Sequence, residues 1–303
     1  MRIAFVKDWH DDLEHLAGNK DGILAAFGEL EKRYNVEFIS RHNCDVRWME
    51  FFHGCDVIIC WGSLDRPWHA QLPKGIPKIL CFAGGPTEHE NLKNFDHVCV
   101  ESQVYLEAFK RKGVSVSRAF GTNSDVFRPE PRSPKVFRAI YPASFCFHKN
   151  IELFARAMRG QGLAVGNWNE ESVVSKCLEL GLPIMRRVSS DVLSDLYNMS
   201  RCTVVPCGTD GGAQRVVLES MACGVPVVLA NDNDKCREFV EESGCGVLVP
   251  PIAEAIREAV DELTTGPYDP SIGRKYIEAK WTHHHYANAL EEAIKFCWTA
   301  PHV

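Results

Sequence analysis

The sequence predicts an α/β protein made of two doubly wound domains facing each other across a cleft. Three observations carry this. A length of 303 residues suggests about two domains. Short apolar runs alternate with longer amphipathic ones along the whole chain, the rhythm of parallel βαβ units. Runs such as DVIICW (56–61) and KILCF (78–82) are apolar on both faces, as strands covered by helices on each side must be.

In the first half, strands are expected at Ile3–Val6, Val36–Ser40, Val57–Trp61, Lys78–Ala83, His97–Glu101 and Ser115–Ala119. Helical patterns between them include Asp21–Tyr34 and Ser102–Lys112. Residues 128–135, RPEPRSPK, hold three prolines, which set the local backbone angles and bar helix. This stretch is the expected boundary between domains 1–130 and 131–303. The second half repeats the rhythm. Its strands are expected at Phe137–Pro142, Leu163–Val165, Pro183–Val188, Cys202–Pro206, Pro226–Leu229 and Gly246–Val249. Its helices are expected at Asn150–Arg159, Glu171–Leu180, Ser190–Asn198, Ala213–Cys223, Lys235–Glu242 and Ile252–Leu263, then Ser271–Ala279 and His283–Phe296 with no strand after them.

Composition excludes some functions. Hydrophobic residues make up 45% and charged residues 24% of the chain, ordinary for a globular protein. The net charge of −6 supplies no global basic field for nucleic acid or anionic membrane. Thirteen cysteines include no CxxC pair and no spacing suited to zinc, so buried thiols in a reducing cytoplasm are expected. No window approaches the ~18 apolar residues of a membrane span. The opening MRIAFVKD is too short an apolar run for a signal peptide. The expected location is cytoplasmic.

The most informative stretch is GTDGGAQRVVLESMACGVPVVLAND, residues 208–232. A buried strand, CTVVPCG, runs into the loop TDGG, then into a helix closed by Gly224. Gly211 and Gly212 let a bulky ligand approach the backbone. The first N–H groups of the helix lack intrahelical partners and the helix dipole makes that end positive, so a phosphate is the natural guest. Glu219 lies about two turns in, and Arg215 is one turn earlier on the same face. Two roles fit Glu219: an i,i+4 salt bridge with Arg215, or a carboxylate accepting hydrogen bonds from a ribose diol.

VVLESMACGVPVVLAND resembles the signature of retaining GT-B glycosyltransferases of the GT4 type, also called glycosyltransferase group 1. DLYNMSRCTVVPCGTDGG, GCGVLVPP, FGTNSDVFRP (120–129) and FHKNIELFARAM resemble further parts of that family. The resemblance implies the GT-B fold, with two Rossmann-like domains, the acceptor on the first and a nucleotide-diphosphate sugar, UDP-sugar favoured, on the second. It implies that the last helix, about 283–297, crosses back onto the first domain. Glu219 matches the second Glu of the Glu-x7-Glu pair, which binds the ribose. Lys149 matches the lysine that neutralises the donor phosphates. The N–H groups of Gly212, Ala213 and Gln214 would complete the phosphate cradle beside Gly211 and Arg215. The family needs no metal, so neither a metal nor another cofactor is expected.

Three departures concern the donor sugar. The first Glu of the pair is Gly211 here; Asp210, one residue earlier, is the candidate substitute. The family's Arg five residues before the lysine is Ser144. Its His after the strand KILCF is Ala83, with His89 in AGGPTEHENL as candidate substitute. The expected function is transfer of a sugar to an unidentified acceptor, which could be a glycan, lipid, small molecule or modified DNA. Three alternatives stay open: a nucleotide-sugar-binding protein with impaired catalysis, a sugar-nucleotide epimerase, and a viral-type enzyme that glucosylates modified DNA bases.

Smaller signals have simpler accounts. NDND (231–234) reads as helix capping. Three adjacent histidines in THHHY (282–286) point in different directions on a helix and cannot all grip one ion. FKRKG (109–113) and the basic residues Arg128, Arg132, Lys135 and Arg138 form local positive clusters, whose functional reading is attraction to a polyanionic acceptor. Trp48, Trp61 and Trp68 are candidates for stacking on an acceptor, or for core positions.

Overall fold

The computed structural model describes residues 1–7, 20–40 and 48–299. The chain forms two compact units, the first from 1–17, 22–120 and 283–303, the second from 18–21 and 121–282.

The first unit holds six strands: β1 (Arg2–Lys7), β2 (Asn35–Ser40), β3 (Val57–Gly62), β4 (Lys78–Phe82), β5 (His97–Val100) and β6 (Val116–Arg118). All pairs are parallel, in the order β2-β1-β3-β4-β5-β6. β1, β3, β4 and β5 are buried almost throughout, which explains their unbroken apolar sequences. Helix α1 (Gly22–Glu31) lays Ile23, Ala26, Phe27 and Leu30 on the sheet, and Phe27 stacks on Phe5 with ring centroids 3.9 Å apart. α2 (Gln103–Lys110) adds Tyr105 and Phe109, both edge-on to Phe82.

The second unit also has six parallel strands: β7 (Ala139–Pro142), β8 (Gly162–Gly166), β9 (Ile184–Arg186), β10 (Thr203–Val205), β11 (Val227–Ala230) and β12 (Gly246–Val249). Their order, β12-β11-β10-β7-β8-β9, is the doubly wound arrangement of a dinucleotide-binding sheet, with its reversal between β7 and β10. The helices are α3 (Ile151–Met158), α4 (Glu171–Glu179), α5 (Ser190–Asn198), α6 (Gln214–Ala222), α7 (Asp234–Ser243), α8 (Ala253–Thr265) and α9 (Ser271–Lys280). The final helix α10 (His283–Thr299) belongs to the first unit. It packs against α1 through an apolar stripe that includes Tyr286, Leu290 and Ile294. That stripe has the spacing of one helix face.

The units part at Phe120, ten residues before the expected boundary at 130. The reason is local bonding. Asn123 Oδ1 accepts from the N–H groups of Asp125 and Val126. Arg274 donates to the carbonyls of Ser124 and Phe127, each at 2.9 Å, and Phe127 is buried beside Tyr197. The RPEPRSPK segment therefore lies within the second unit. The chain enters and leaves that unit side by side: Thr122 N–H donates to Trp281 O at 2.8 Å, and a Cβ on Gly121 would stand 2.4 Å from Thr282 O.

The cysteines behave as small apolar residues. Every described one is buried and outside any disulfide; Cys44 lies outside the described residues. Among the described residues no helix is long and apolar enough to cross a membrane.

Candidate functional site

β10 ends at the sheet's reversal point, where doubly wound sheets hold their ligands. The chain then makes a short 3-10 turn, Thr209–Gly211. Gly212 comes next at φ 63° and Ala213 at φ 85° before α6 begins. A left-handed alanine costs of order 1–3 kcal/mol and is held only where its surroundings insist on it, as at functional loops. Here the neighbours are specific. Asn233 Nδ2 donates to the carbonyls of Cys207 (2.9 Å) and Gly212 (2.8 Å), and Cys236 Sγ donates to Gly212 O at 3.1 Å. Asn233 also caps α7 by accepting from Cys236 N–H, so the capping expected of NDND is present and the same side chain clamps the glycine loop.

Within the turn, Gly211 N–H donates to Gly208 O at 2.9 Å and Gly212 N–H to Thr209 O at 3.3 Å. Two of the expected cradle positions are thus engaged in this conformation. The N–H groups of Ala213 and Gln214 have no backbone partner among the described residues, so the first N–H groups of α6 are not spent on the main chain.

Lys149 closes a second 3-10 turn, Phe147–Lys149, after β7. Tyr141 OH donates to Lys149 O at 2.9 Å, and the Lys149 ammonium donates to Gly211 O. The structure therefore brings the expected lysine onto the glycine loop.

Glu219 is 3% exposed. Its Oε2 accepts from Tyr197 OH at 3.1 Å. Burial pushes its carboxyl up to about 8, against the opposing pull of Arg215 and of the Tyr197 hydrogen bond. The i,i+4 salt bridge with Arg215 is not what forms. Arg215 pairs with Asp21, Nη1 to Oδ2 at 3.0 Å, and Asp21, which is buried, adds to the upward push on Glu219. Residues 20 and 21 belong to the second unit. Lys20 N–H donates to Ser190 Oγ at 3.0 Å, its ammonium to Asp191 at 2.7 Å, and its carbonyl accepts from Asn123. Tyr197 and Asp21 were not singled out by sequence, and Asn233 only as part of a helix cap. Nothing in a tyrosine within DLYNMS tells that its hydroxyl turns toward an acid 22 residues on.

A pocket of about 910 Å³ is lined by the glycine loop. It takes in Asp210 and Gly211 of the expected site but not Lys149, Gly212, Ala213, Gln214, Arg215 or Glu219. The two acids expected at the donor lie apart, Asp210 exposed in the pocket and Glu219 enclosed in α6. Gly211 also explains its own identity: a Cβ there would stand 2.4 Å from Cys207 Sγ and 2.8 Å from His148 O, so this backbone has no room for the family's glutamate.

His89 lies in the first unit, where its Nδ1 accepts from Asn91 N–H at 3.2 Å and caps a short turn, Glu90–Asn94. Trp68 is a core residue at 6% exposure. Trp61 is half-buried under the Lys7 ammonium, 4.0 Å from its ring centroid. The Trp48 side chain lies outside the described residues. Two of the basic residues near the boundary are tied to protein groups: Lys135 donates to the carbonyls of Asn198 and Ser200, and Arg138 pairs with Asp261. Of the three adjacent histidines, His283 and His284 converge with Glu29, their ligand atoms within 4.8 Å of one another, while Lys32 already holds Glu29 at 2.6 Å.

The whole chain resembles solved glycosyltransferase structures. Sucrose-phosphate synthase from Thermosynechococcus elongatus superposes with a TM-score of 0.71 at 16% identity over 98% of each chain. AviGT4, a glycosyltransferase involved in avilamycin A biosynthesis, gives 0.71 at 17% over 98% of each chain. Anabaena Alr3699/HepE, solved in complex with UDP and glucose, gives 0.72 at 13% over 97% of this chain and 99% of that one. Among curated proteins none matches the chain by sequence. Residues 123–280, more than half of the chain and nearly all of the second unit, match the family described as glycosyl transferases group 1. With its two all-parallel sheets and the glycine loop at the switch point, the chain belongs to the glycosyl transferases group 1 family and is a glycosyltransferase of the GT-B fold.

Proposed function

We propose that the second unit holds a nucleotide-diphosphate sugar and that the sugar passes to an acceptor with retention of configuration. The observation that carries this is one loop-and-helix unit at the sheet reversal. It combines a buried acid at Glu219, helix N–H groups without a backbone partner at Ala213 and Gln214, and the Lys149 ammonium on the loop carbonyl. Each has a distinct part. The diphosphate displaces the Lys149 ammonium from Gly211 O and takes its positive charge, together with the N–H groups of Ala213 and Gln214. Glu219 accepts from the ribose hydroxyls and Tyr197 OH steadies it. Asp210 faces the sugar hydroxyls in place of the family's first glutamate. UDP is the favoured nucleotide, supported by the complexes of Alr3699/HepE with UDP and UDP-glucose.

In the transfer, the bond from the anomeric carbon to the phosphate oxygen breaks with its electron pair on that oxygen. The acceptor oxygen bonds to the same carbon from the same face, and the acceptor proton passes to the departing phosphate. Negative charge grows on the leaving group, where a fixed ammonium and helix N–H groups act most strongly. None of these parts is a metal, and the reading needs none.

A second reading, nucleotide-sugar binding without turnover, is favoured by the closed space at Gly211 and by Ser144 where the family has arginine. A thermal-shift screen of UDP-, GDP- and ADP-sugars, paired with an assay for released nucleotide, separates the two. Binding with release supports transfer, and binding without release supports the second reading. Loss of the shift in Glu219→Ala is expected under both. Unchanged donor affinity in that variant would remove Glu219 from the site.

A further inference from the structure

The three adjacent histidines at the start of α10 have no part in the transfer described above. Successive side chains leave a helix about 100° apart, so neighbours in sequence do not ordinarily face one target. Here two of them do. The rings of His283 and His284 lean together, with centroids 4.1 Å apart and planes 36° apart. His283 is buried and His284 is exposed, so packing fixes one ring while the other can turn. His285 is exposed and stands outside the group.

A third member comes from another helix. α10 packs against α1, and Glu29 of α1 brings a carboxylate to the same place. One ligand atom from each of Glu29, His283 and His284 lies within 4.8 Å of the others, and His284 Nδ1 is 3.7 Å from Glu29 Oε2. That separation is too wide for a hydrogen bond and close to what a shared ion requires. Ligands held about 2.0–2.1 Å from a tetrahedral zinc ion stand roughly 3.3–3.5 Å from one another. A modest turn of the exposed His284 ring closes the remaining gap. The two oxygens of Glu29 divide their contacts: Oε1 accepts from Lys32 at 2.6 Å, and Oε2 faces His284. The Lys32 hydrogen bond first, and then Lys32 and the two histidines by charge, hold this carboxyl below its ordinary pKa, so it is a carboxylate at neutral pH.

Two imidazoles and one carboxylate suit a first-row transition dication. Calcium and magnesium take oxygen-rich sets instead. We propose that Glu29, His283 and His284 form a site for a zinc-type divalent ion that staples α10 to α1 within the first unit. His283 is the first residue of the chain's return to that unit, so the ion fixes the point of re-entry. The family resemblance implies no metal for the transfer, and this ion takes no part in it. The site does not rest on the donor site proposed above.

The test uses the full chain, stripped with a chelator and titrated with cobalt(II), whose visible absorption reports its ligands; zinc chloride then competes. A single equivalent of cobalt is expected to give the visible bands of a nitrogen- and oxygen-ligated ion, and zinc to remove them. His284→Ala and Glu29→Gln should each weaken cobalt binding by more than the about 10- to 100-fold that loss of an outer-shell partner costs. Both side chains reach solvent, so both variants should keep their melting temperature in chelator. His285→Ala should bind as the unaltered protein does. Lys32→Ala should bind about two- to fivefold more tightly, a small gain because an exposed ammonium is screened. No visible band, a thiolate-to-cobalt charge-transfer band, or displacement by magnesium as readily as by zinc would overturn the site. So would undiminished binding in either His284→Ala or Glu29→Gln, lost binding in His285→Ala, or weaker binding in Lys32→Ala.

Discussion

Both units carry a Gly-Gly pair in the loop after a buried parallel strand: Gly84 and Gly85 after β4, Gly211 and Gly212 after β10. In sequence the two loops look alike. The elements behind them differ. After the first, the chain enters the five-residue turn Glu90–Asn94 capped by His89. So short a turn aligns few peptide dipoles, and its amino end is already filled by the imidazole. After the second comes the nine-residue α6 with a buried acid two turns in and a lysine on the loop. A glycine pair permits close approach of a ligand; the helix and the enclosed acid behind it supply the chemistry.

The largest effect that can break this comparison is at Lys149. Lys149→Ala is expected to lower kcat by about 10²- to 10³-fold, the scale of removing one donor from a developing oxyanion. The melting temperature should hardly move, because the side chain is only half-buried. The measurement is nucleotide release with the sugar nucleotide that gives the largest thermal shift. An unchanged kcat would make the second loop no more chemical than the first.

Next in size is Gly211→Glu, which restores the family's missing residue. The new Cβ would meet Cys207 Sγ and His148 O at less than contact distance. Overpacking of this kind costs about 1–3 kcal/mol. The variant is therefore expected to lose stability and activity together in denaturant titration and turnover assays. A gain in turnover would show that the loop opens readily and that the Gly211 geometry is not the reason for the departure.

Much of this was legible in the sequence. The strands were readable because parallel β leaves unbroken apolar runs; Glu219 kept two readings in the sequence, and only the structure shows Arg215 turned to Asp21 instead. The two loops were less separable. His89 and Lys149 are both polar residues beyond a strand end, and only the structure shows one capping a turn and the other reaching the glycine loop. Partners distant in sequence were not readable at all. Asp21 reaches Arg215 across 194 residues and Tyr197 reaches Glu219 across 22, and no periodicity encodes such pairings. The boundary was placed at 130 because RPEPRSPK advertises a linker, while the bonds of Asn198 and Lys135 that tie that segment to α5 have no local signature.

The enclosed acid also makes the second region pH-sensitive. The folded protein keeps the Glu219 proton up to about pH 8, whereas an exposed glutamate loses it near 4.5. Between those values the unfolded chain binds fewer protons than the folded one, so stability falls as pH rises through that window. The melting temperature of the unaltered protein is expected to drop between about pH 5 and about pH 9 more steeply than that of Glu219→Gln, which cannot ionise. Parallel curves for the two proteins would show that the carboxyl is ionised in the fold and that its enclosure is looser than it looks.

The smallest effect belongs to the first loop. His89 accepts one backbone N–H at 3.2 Å, and losing such a cap costs about 1 kcal/mol or less at a short turn. His89→Ala should therefore soften the 90–94 turn, visible as faster amide exchange at Asn91, while UDP-sugar affinity and kcat stay as they were. A tenfold loss of kcat with intact exchange protection would reverse the ranking of the two loops. The imidazole would then be working on substrate, as its place beyond β4 suggests, and capping would be its resting role. The asymmetry between the regions would then be one of occupancy, because a side chain already bonded within its own turn can still be released when a ligand arrives. Lys149 is proposed to do the same on the other loop, so a positive result there and a negative one at His89 together decide whether the resting bonds or the elements behind them separate the two.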